Sequence, residues 1–307
     1  MSNARICGID CVIPNYNGQL QCKKALLSLG DQLPITVVDD ASTDNSAAIL
    51  MDEFPEVNII ARKTNGGFSA SVNDGIKATH GEFILLLNND VEVTPGFLDN
   101  IIPLFVDETV FAVSPKILLP NRDNLDEGCK TGFWHHGMFY TDQRVDVNKI
   151  TPVLYTTACA AVYRRSMIEA LEGFDEAYSP FYWEDTDLGF RAWKRGWKSL
   201  YQPAGIVYHQ HSASISKIKA SYTDQIKARN SLFFIWRNIE DQDLLLAHRR
   251  WLALVLAKKV SDRDWSYIKG WSDAWKRRSE AQSAKQSDST HRKLSDREIF
   301  RAVGIEV

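Results

Sequence analysis

Aspartates follow an apolar run near the start of the chain and could bind a nucleoside. Asp39 and Asp40 come directly after residues 35–38, and Asp44 follows shortly. A carboxylate at such a strand end can accept hydrogen bonds from the imide of a uracil or thymine base and from ribose hydroxyls. Residues 42–44 could equally cap a helix. We favour ligand binding for Asp40 and leave both interpretations open for Asp44.

A second polar group, Asn88-Asn89-Asp90, ends the apolar run of residues 83–87. Magnesium and manganese are commonly held by one or two carboxylates together with substrate phosphates. Asparagine and aspartate are also common in turns, but the five preceding apolar residues favour a site at a strand end. The sequence therefore predicts that Asp90 binds Mg²⁺ or Mn²⁺ against a diphosphate.

A third acidic pair, Glu184 and Asp185, follows the aromatic run of residues 181–183. Carboxylates beside aromatic side chains suit a general base in a partly dry pocket. Acidic residues are equally typical of a helix N-terminus, and the aromatic residues could belong to a core. Downstream, His209 and His211 are two residues apart, so on a strand they share one face and could bind a metal or a phosphate.

The elements that must position these residues alternate between short apolar runs and helical patterns. Strands are predicted over residues 6–13, 35–38, 57–61 and 83–87, and helices over residues 19–29, 42–54 and 68–78. This alternation indicates an α/β fold with a mostly parallel central sheet. In such sheets ligands bind where strands end and helices begin, which is where the polar groups fall. The dinucleotide fingerprint and the P-loop are both absent.

The later part of the chain is predicted to contain fewer strands and more helix. Residues 156–163 are small and apolar and indicate a buried strand, and a short strand is predicted over residues 207–212. Between them a helix is predicted over residues 184–195, in which Asp187 and Arg191 form an i,i+4 ion pair. Residues 216–280 are helical, basic and aromatic in pattern, whereas the polar end of the chain is predicted to be mobile.

Composition excludes several classes of protein. The five cysteines are odd in number and include no CxxC pair, which predicts reduced cysteines in a cytosolic protein. No signal-peptide pattern opens the chain, and no apolar stretch reaches the roughly 20 residues that span a bilayer. The sequence therefore predicts a cytoplasmic location, or a peripheral one on the inner face of the cell membrane.

Charge divides the chain into an acidic body and a basic arm. Residues 1–212 hold 17 Lys and Arg against 27 Asp and Glu, whereas residues 213–307 hold 19 against 12. The acidic body would repel nucleic acid, so no nucleic-acid partner is predicted.

Residues 251–257 are apolar and are flanked by basic pairs at 249–250 and 258–259, which suits an anionic membrane surface. A helix that simply packs on the body is the equally open alternative.

Taken together, the polar motifs resemble those of the family 2 glycosyltransferases, especially the bacterial rhamnosyltransferase-like members. The resemblance covers roughly residues 6–215, and its ordered motifs are highly specific as a set. The motifs are Val12-Ile13-Pro14-Asn15-Tyr16-Asn17, Val37-Val38-Asp39-Asp40-Ala41-Ser42-Thr43-Asp44, Asn65-Gly66-Gly67-Phe68, Asn73-Asp74-Gly75, Leu87-Asn88-Asn89-Asp90, Gly173-Phe174-Asp175-Glu176, Glu184-Asp185-Thr186-Asp187-Leu188 and His209.

The resemblance implies a Rossmann-like A-type glycosyltransferase fold, an inverting mechanism and a metal-bound nucleotide sugar. Asp185 matches the usual catalytic base, with Glu184 beside it, and His209 matches a frequent metal or phosphate contact. Asp90 matches the metal-binding end of the family's acidic triplet. The positions that match the nucleotide-binding motifs are Pro14, Tyr16, Asp39, Asp40, Asn65, Asn73, Asn88 and Asn89.

This sequence departs from the family pattern in two places. Asn88 stands where many members have aspartate, so it supplies no charge to a cation. The segment at residues 157–161 has no glycine where relatives often place one, and this segment helps to shape the donor pocket in the family. The resemblance therefore implies neither a particular sugar nor strict metal dependence.

The expected activity is transfer of a sugar from a UDP- or dTDP-sugar to a hydroxyl of a glycan or lipid-linked acceptor in cell-surface polysaccharide synthesis. The alternatives are a nucleotidyltransferase that makes a nucleotide sugar and a non-catalytic module that binds one. A nucleotidyltransferase would need a Gly-rich loop with a basic residue near the N-terminus, and this sequence has none there. The retained Asp90 and Asp185 argue against a module that only binds. The expected organisation is a catalytic domain over residues 1–215, a basic helical extension over 216–280 and a mobile tail over 281–307.

Overall fold

The computed structural model describes residues 8–120, 125–210 and 219–306. Residues 8–90 form repeated strand–helix units, in which apolar strands alternate with amphipathic helices. Their elements are β1 (Ile9–Asn15), α1 (Gln19–Leu29), β2 (Ile35–Asp39), α2 (Ser46–Glu53), β3 (Asn58–Ala61), α3 (Phe68–Lys77) and β4 (Phe83–Leu87). The α/β fold that the sequence predicts is therefore confirmed.

The four strands of this first half are parallel, in the spatial order β4-β1-β2-β3. Asn15 at the end of β1 is in register with Asp39 at the end of β2. Since parallel strands end at the same edge of a sheet, the residues that follow β1, β2 and β4 meet there.

The second half of the chain extends the sheet on the other side of β4 and makes it mixed. Its elements are β5 (Val91–Val93), β6 (Val110–Leu119), β7 (Leu125–Asp126), β8 (Lys130–His135), β9 (Met138–Gln143), β10 (Thr151–Val153), β11 (Ala160–Arg164), α4 (Arg165–Ala170), α5 (Glu184–Lys194) and β12 (Lys198–His209). In the sheet, β11 runs antiparallel to both β4 and β6, while β12 runs parallel to β6 and antiparallel to β5 and β10. A separate hairpin, β8–β9, stands beside the sheet.

Several predicted boundaries move for local reasons. The helix predicted from residue 42 begins at Ser46, because Asp44 accepts hydrogen bonds from the amide and hydroxyl of Ser46 instead of starting a helix itself. Of the short strand predicted over residues 207–212, residues 207–209 are the end of the longer β12, and residues 211–212 lie outside the described residues. The strand predicted over residues 156–163 begins only at Ala160. The i,i+4 pair of Asp187 and Arg191 is confirmed at 2.6 Å.

The C-terminal part is helical throughout most of its length. Its helices are α6 (Ala220–Asn238), α7 (Gln242–Ser261), α8 (Trp265–Lys276), α9 (Arg278–Asp288) and α10 (Asp296–Ala302). The mobile tail expected over residues 281–307 stays a prediction, although α9 and α10 give this stretch helical structure. Ser295 and Glu298 cap α10, and Phe300 is fully buried with its ring stacked on Phe139 at 5.7 Å. Burial of an aromatic side chain stabilises the helix far more than its short length alone would.

The C-terminal helices share a hydrophobic core with the hairpin and α5. This core combines Phe139, Phe190, Phe234 and Phe300. A buried polar network joins the same elements, because Asp187 of α5 accepts hydrogen bonds from Tyr178, Arg191 and Asn238 and forms an ion pair with Arg237. Burial alone would raise the pKa of Asp187, but Arg237 and Arg191 lower it below its ordinary value. Among the described helices, none has the length and hydropathy to cross a bilayer.

Candidate active site

A cleft of about 1520 Å³ opens at the edge where the parallel strands end. Single small-molecule sites usually measure roughly 300–1,000 Å³, so this cleft can hold two substrates at once. One side is formed by the residues after β1, β2 and β4. The opposite side is formed by the β8–β9 hairpin, the segment before α5, and the helices α6, α7 and α8. We call these two sides the strand side and the helix side.

Six of the eight predicted nucleotide-binding residues line the strand side. They are Pro14, Tyr16, Asp40, Asn65, Asn88 and Asn89. Asp39 is buried and accepts hydrogen bonds from Asn15 and from the amide and hydroxyl of Ser42, so it fixes the loop after β2. Asn73 is also buried, and its amide exchanges two 2.9 Å hydrogen bonds with the backbone of Phe174. The structure therefore gives Asp39 and Asn73 structural contacts outside the cleft lining.

The carboxylate of Asp40 organises the loop beside it. It accepts hydrogen bonds from the amides of Gly66 and Gly67, both at 2.9 Å, and pairs with Arg62 at 2.6 Å. Gly67 has φ of +84°, a conformation that favours glycine, and this lets its amide point at the carboxylate. Arg62 also pairs with Asp74 at 2.9 Å. Arg62 is absent from the sequence predictions, since a lone arginine after a strand carries no signal for this role.

Asn89 is held in place by a chain of side-chain hydrogen bonds. Its Nδ2 donates to Asn15 at 2.7 Å, and Asn15 in turn donates to Asp39 at 2.8 Å. Asn88 follows β4 directly, and its amide donates to the carbonyl of Cys159 at 2.8 Å. These contacts join the ends of β1, β2 and β4 into one rigid surface, which lowers the entropic cost of ordering a ligand there.

Asp90 and His209 lie together at the end of the cleft. Oδ1 of Asp90 is 3.3 Å from Nε2 of His209, because β5 and β12 pair antiparallel with Val91 in register with His209. Nδ1 of His209 lies 2.6 Å from Oε1 of Glu127. The Cys159 thiol lies beside them, and its sulfur, one Glu127 oxygen and one His209 nitrogen are all within 4.8 Å of one another. His211 lies outside the described residues.

Electrostatics at this end favour positive charge. Burial acts to lower the pKa of His209, but Cys159, Asp90 and Glu127 together raise it above its ordinary value. Burial also raises the pKa of the Cys159 thiol.

The donor set suits a divalent cation. Two ligands of one ion at about 2.0–2.2 Å stand roughly 3 Å or more apart, which matches the 3.3 Å between Asp90 Oδ1 and His209 Nε2. A carboxylate and an imidazole are ligands for manganese-type ions. Asn88 lies nearby but adds no charge.

Glu184 and Asp185 open α5 at the centre of the cleft. The two residues before them, Tyr182 and Trp183, have φ of 72° and 78°, a conformation that costs free energy in side-chain-bearing residues. The strain is held by Asn230 of α6, whose buried amide donates to the carbonyls of Tyr178, Phe181 and Tyr182 at 2.7, 3.1 and 2.8 Å. A helix about forty-five residues later in the chain therefore sets the position of the acidic pair.

The two carboxyl groups of this pair have different environments. Burial and the neighbouring Asp185 raise the pKa of Glu184 to about 8, and its Oε2 finds no hydrogen-bond partner among the described residues. Burial also raises the pKa of Asp185, but the Thr186 amide at 2.7 Å, Lys130 and Ala158 act in the opposite direction. Two adjacent buried carboxyl groups favour a single negative charge on the pair, and the donors around Asp185, which Glu184 lacks, favour that charge on Asp185.

The helix side brings together residues that no sequence motif marks. Lys227 lies over the ring of Tyr182 at 4.7 Å, and Lys259 lies over the ring of Tyr267 at 5.0 Å and pairs with Asp264 at 2.8 Å. Asn230 and Lys227 sit within a long helix. The only sequence signal for Asn230 is a polar residue close to an apolar run, residues 232–236, which is consistent with a buried polar group that needs partners.

Known proteins resemble this chain in sequence and in fold. Residues 10–172 match the model of glycosyl transferase family 2. The chain is 28% identical over 229 residues to the N-acetylglucosaminyl-diphospho-decaprenol L-rhamnosyltransferase of Mycobacterium tuberculosis, covering 64% of this chain and 74% of that protein.

Two solved structures show the same fold. GalNAc-T7 with UDP, GalNAc and Mn²⁺ has a TM-score of 0.67 and 14% identity, and the match covers 97% of this chain and 56% of that one. Residues 1–349 of TarS from S. aureus with UDP-GlcNAc have a TM-score of 0.58 and 16% identity, with 91% of this chain and 88% of that one covered. At these identities the likeness supports the A-type glycosyltransferase fold. With more than half of its length matched by the family model, the chain belongs to glycosyl transferase family 2 and is an inverting glycosyltransferase.

Proposed function

We propose that this enzyme transfers a sugar from a UDP- or dTDP-sugar to a hydroxyl of a lipid-linked or glycan acceptor, with Asp185 as the base. One observation carries the proposal. A single cleft is lined by Asp90 and His209, whose Oδ1 and Nε2 atoms lie 3.3 Å apart and could bind one cation, and by the carboxyl group of Asp185 at the start of α5. This is the arrangement that an inverting displacement requires, with the leaving diphosphate and the base both reaching one cleft.

Asp185 takes the proton of the acceptor hydroxyl as the hydroxyl oxygen attacks the anomeric carbon. The attack comes from the face opposite the diphosphate, so the bond to the diphosphate oxygen breaks and the anomeric configuration inverts. General-base catalysis of this kind contributes about 10²–10⁴-fold. Glu184 stays protonated beside Asp185, which avoids two adjacent negative charges in a poorly solvated site.

On the strand side, Asp90 and His209 would hold a divalent ion, Mg²⁺ or Mn²⁺. When bound, such an ion offsets the negative charge that develops on a leaving diphosphate. The residues of the chain do the positioning: Asp40 fixes the loop of Gly66 and Gly67, and Asn89 is held by Asn15. The protein thus presents a preorganised surface to the nucleotide.

The donor is testable by ligand-induced stabilisation. Thermal-shift measurements with uridine, thymidine and guanosine diphosphates, each with and without Mn²⁺, should show the largest shifts for uridine or thymidine diphosphate with Mn²⁺. A much larger shift with guanosine diphosphate would show that the donor assignment is wrong. Hydrolysis of a panel of nucleotide sugars then identifies the sugar and separates the transferase from a module that only binds.

We further propose a lipid-linked acceptor, used in cell-surface polysaccharide synthesis at the inner face of the cell membrane. The rhamnosyltransferase relative is named for a decaprenol-linked acceptor. In this chain, support comes from α7, whose two faces differ. Val255 and Lys259 line the cleft, whereas Leu246, Leu254 and Val260 are exposed.

The outer face of α7 has the chemistry of a membrane surface. Leu246, Ala253 and Val260 are spaced by seven residues and fall on one side of the helix, turned away from the cleft. Arg249, Arg250 and Lys258 are exposed beside them. The inner face packs on the body, where His248 bonds Gly137 and Trp251 stacks on His136 at 4.0 Å. The helix can therefore pack on the body and meet a lipid surface at once.

Sedimentation with anionic liposomes tests this surface. Each basic residue near an anionic membrane contributes about 1 kcal/mol, so Arg249→Gln with Arg250→Gln should weaken binding by roughly 30-fold. The matched control is Lys23→Gln with Lys24→Gln on α1, which removes the same charge elsewhere and should weaken binding far less. Absence of binding at low salt by the wild-type protein would refute the membrane surface.

A further inference from the structure

Glu127 contacts His209 from a backbone position that is fixed on both sides. It follows the two-residue strand β7, and its amide donates to the carbonyl of Ile117 at 2.9 Å. The preceding residue, Asp126, accepts hydrogen bonds from the amides of Ile117 and Gly128 and from the hydroxyl of Tyr201. The backbone of Glu127 is thus held against β6, which pairs with the strand that ends in His209.

The imidazole of His209 lies between two carboxylates, one at each ring nitrogen. Nδ1 is 2.6 Å from Oε1 of Glu127, and Nε2 is 3.3 Å from Oδ1 of Asp90. A neutral imidazole has one N–H donor and one lone pair, so the partner that takes the N–H decides which nitrogen can bind a cation.

The distances from the two carboxylates to His209 indicate which ring nitrogen can bind the cation. Ligand atoms of one ion at about 2.0–2.2 Å cannot approach much closer than roughly 3 Å, so 2.6 Å is too short for two ligands of a shared ion. It is the distance of a short charge-assisted hydrogen bond. The 3.3 Å on the other side fits two ligands of one cation.

We propose that Glu127 is a positioning residue that accepts the Nδ1–H of His209 and so directs Nε2, with Asp90, toward the divalent cation. The inference rests on the proposed cation site at Asp90 and His209. Carboxylates that orient metal-bound histidines in this way fix both the ring and its tautomer, and their loss usually weakens metal affinity by about 10–100-fold. Glu127 itself does not touch the ion or the substrate in this arrangement.

The position of the Cys159 sulfur suggests a competing geometry for the cation. Because the Cys159 sulfur, Glu127 and His209 lie within 4.8 Å of one another, a thiophilic cation could bind on the Nδ1 side instead. Such an ion would displace the Cys159 thiol proton to solvent, use Nδ1 as a ligand and leave Nε2–H to donate to Asp90. The 2.6 Å contact between Nδ1 and Glu127 argues against this geometry, and the experiment includes it as an outcome.

The test measures Mn²⁺ affinity in the full-length protein with uridine diphosphate, from the electron paramagnetic resonance signal of free Mn²⁺. Glu127→Ala should weaken affinity by about 10–100-fold. Glu127→Gln keeps an oxygen that can accept Nδ1–H, so it should lose less. Glu92→Ala is the matched control, because this carboxylate lies on neighbouring β5 and contacts Gln210, and it should leave affinity unchanged.

The outcomes separate this inference from the proposed function. Wild-type affinity in Glu127→Ala and Glu127→Gln, together with weak binding in Asp90→Asn, overturns the role of Glu127 and leaves the cation site in place. Wild-type affinity in Asp90→Asn overturns the cation site itself. With Co²⁺ as the probe, a thiolate-to-cobalt charge-transfer band that disappears in Cys159→Ser places the cation on the Nδ1 side and also overturns the inference.

Discussion

The two sides of the cleft are built in different ways. On the strand side, Asp40 and Asn88 directly follow β2 and β4, and Asp90 comes two residues after Asn88, so their spacing in the sequence already places them at one edge of the sheet. On the helix side, the segment before Asp185 is held by Asn230, from an element far along the chain. The strand side therefore depends on local motifs and strand register, whereas the helix side depends on tertiary packing. We expect substitutions on the two sides to separate donor binding from transfer.

The largest expected effect is that of Asp185→Asn, which removes the base and keeps size and polarity. Transfer should fall by about 10²–10⁴-fold, because no other ionised carboxylate of the pair is available near neutral pH. Donor binding, measured by thermal shift with the nucleoside diphosphate and Mn²⁺, should be retained, since Asp185 does not belong to the strand side. Glu184→Gln is the control and should cost less. If both variants transfer at the wild-type rate, the proposed base is wrong.

Asp90→Asn, unlike Asp185→Asn, should change donor binding as well as transfer. The substitution removes the charge of the cation site, so nucleotide binding should lose its dependence on Mn²⁺ and transfer should fall on the order of 100-fold. The two readouts are thermal shift with and without Mn²⁺ and transfer in excess chelator. Full transfer by the wild-type enzyme in chelator would contradict the metal requirement while leaving the fold unaffected.

Asn230→Ala tests whether α6 positions the base across the cleft. The carbonyls of Phe181 and Tyr182 would lose their buried donor, whereas that of Tyr178 keeps Arg229 at 3.4 Å. Each unsatisfied group costs about 1–3 kcal/mol, so the segment of residues 178–182 should relax. We expect kcat to fall about tenfold, equivalent to roughly 1.4 kcal/mol, with the donor KM unchanged.

The control for this variant is Ser231→Ala. Its hydroxyl bonds only Ala228 within the same helix among the described contacts, so kcat should remain near the wild-type value. An Asn230→Ala enzyme with unchanged kcat would show that the strained backbone at Tyr182 and Trp183 keeps its conformation without the hydrogen bonds of Asn230. A change in donor KM alone would show that α6 acts on the strand side instead.

The sequence predicts the strand side well because its information is local. Apolar runs followed by polar residues locate β1, β2 and β4, and the helix over residues 19–29 is confirmed at the same bounds. The sequence does not separate Asp40, which lines the cleft, from Asp39, which is buried against Asn15 and Ser42. That difference depends on strand register and on the loop conformation after β2, neither of which leaves a periodic signal.

The remaining misses involve partners that are distant in the chain. Glu127 lies in a polar stretch with no pattern, and only the pairing of β6 with β12 brings it to His209. The end of the chain is polar on average, which predicts a mobile tail, yet α10 buries Ile299 and Phe300 in the core, with Val303 and Ile305 beside them. Composition averages over residues, whereas packing depends on individual ones.

The smallest expected effect concerns the pH dependence of stability through Glu184. Its pKa is raised from 4.5 to about 8 in the folded protein, so the folded state holds this proton more tightly than the unfolded state. The corresponding stability is fully present below about pH 4.5 and is lost as the pH rises through about 8. Glu184→Gln cannot ionise, so its Tm should fall less than that of the wild-type protein between about pH 6 and pH 9.

Glu184→Gln also tests whether Glu184 or Asp185 is the catalytic base. Glu184→Gln should transfer sugar at near the wild-type rate at neutral pH, because the wild-type side chain is already uncharged there and glutamine has nearly the same shape. Parallel loss of Tm with pH in both proteins would show that Glu184 is ionised in the folded state. If Glu184→Gln abolishes transfer and Asp185→Asn does not, the base is Glu184, and the Thr186 amide beside Asp185 then serves only to begin α5. The strand side would keep its assignment in either case, since none of its contacts involves this pair.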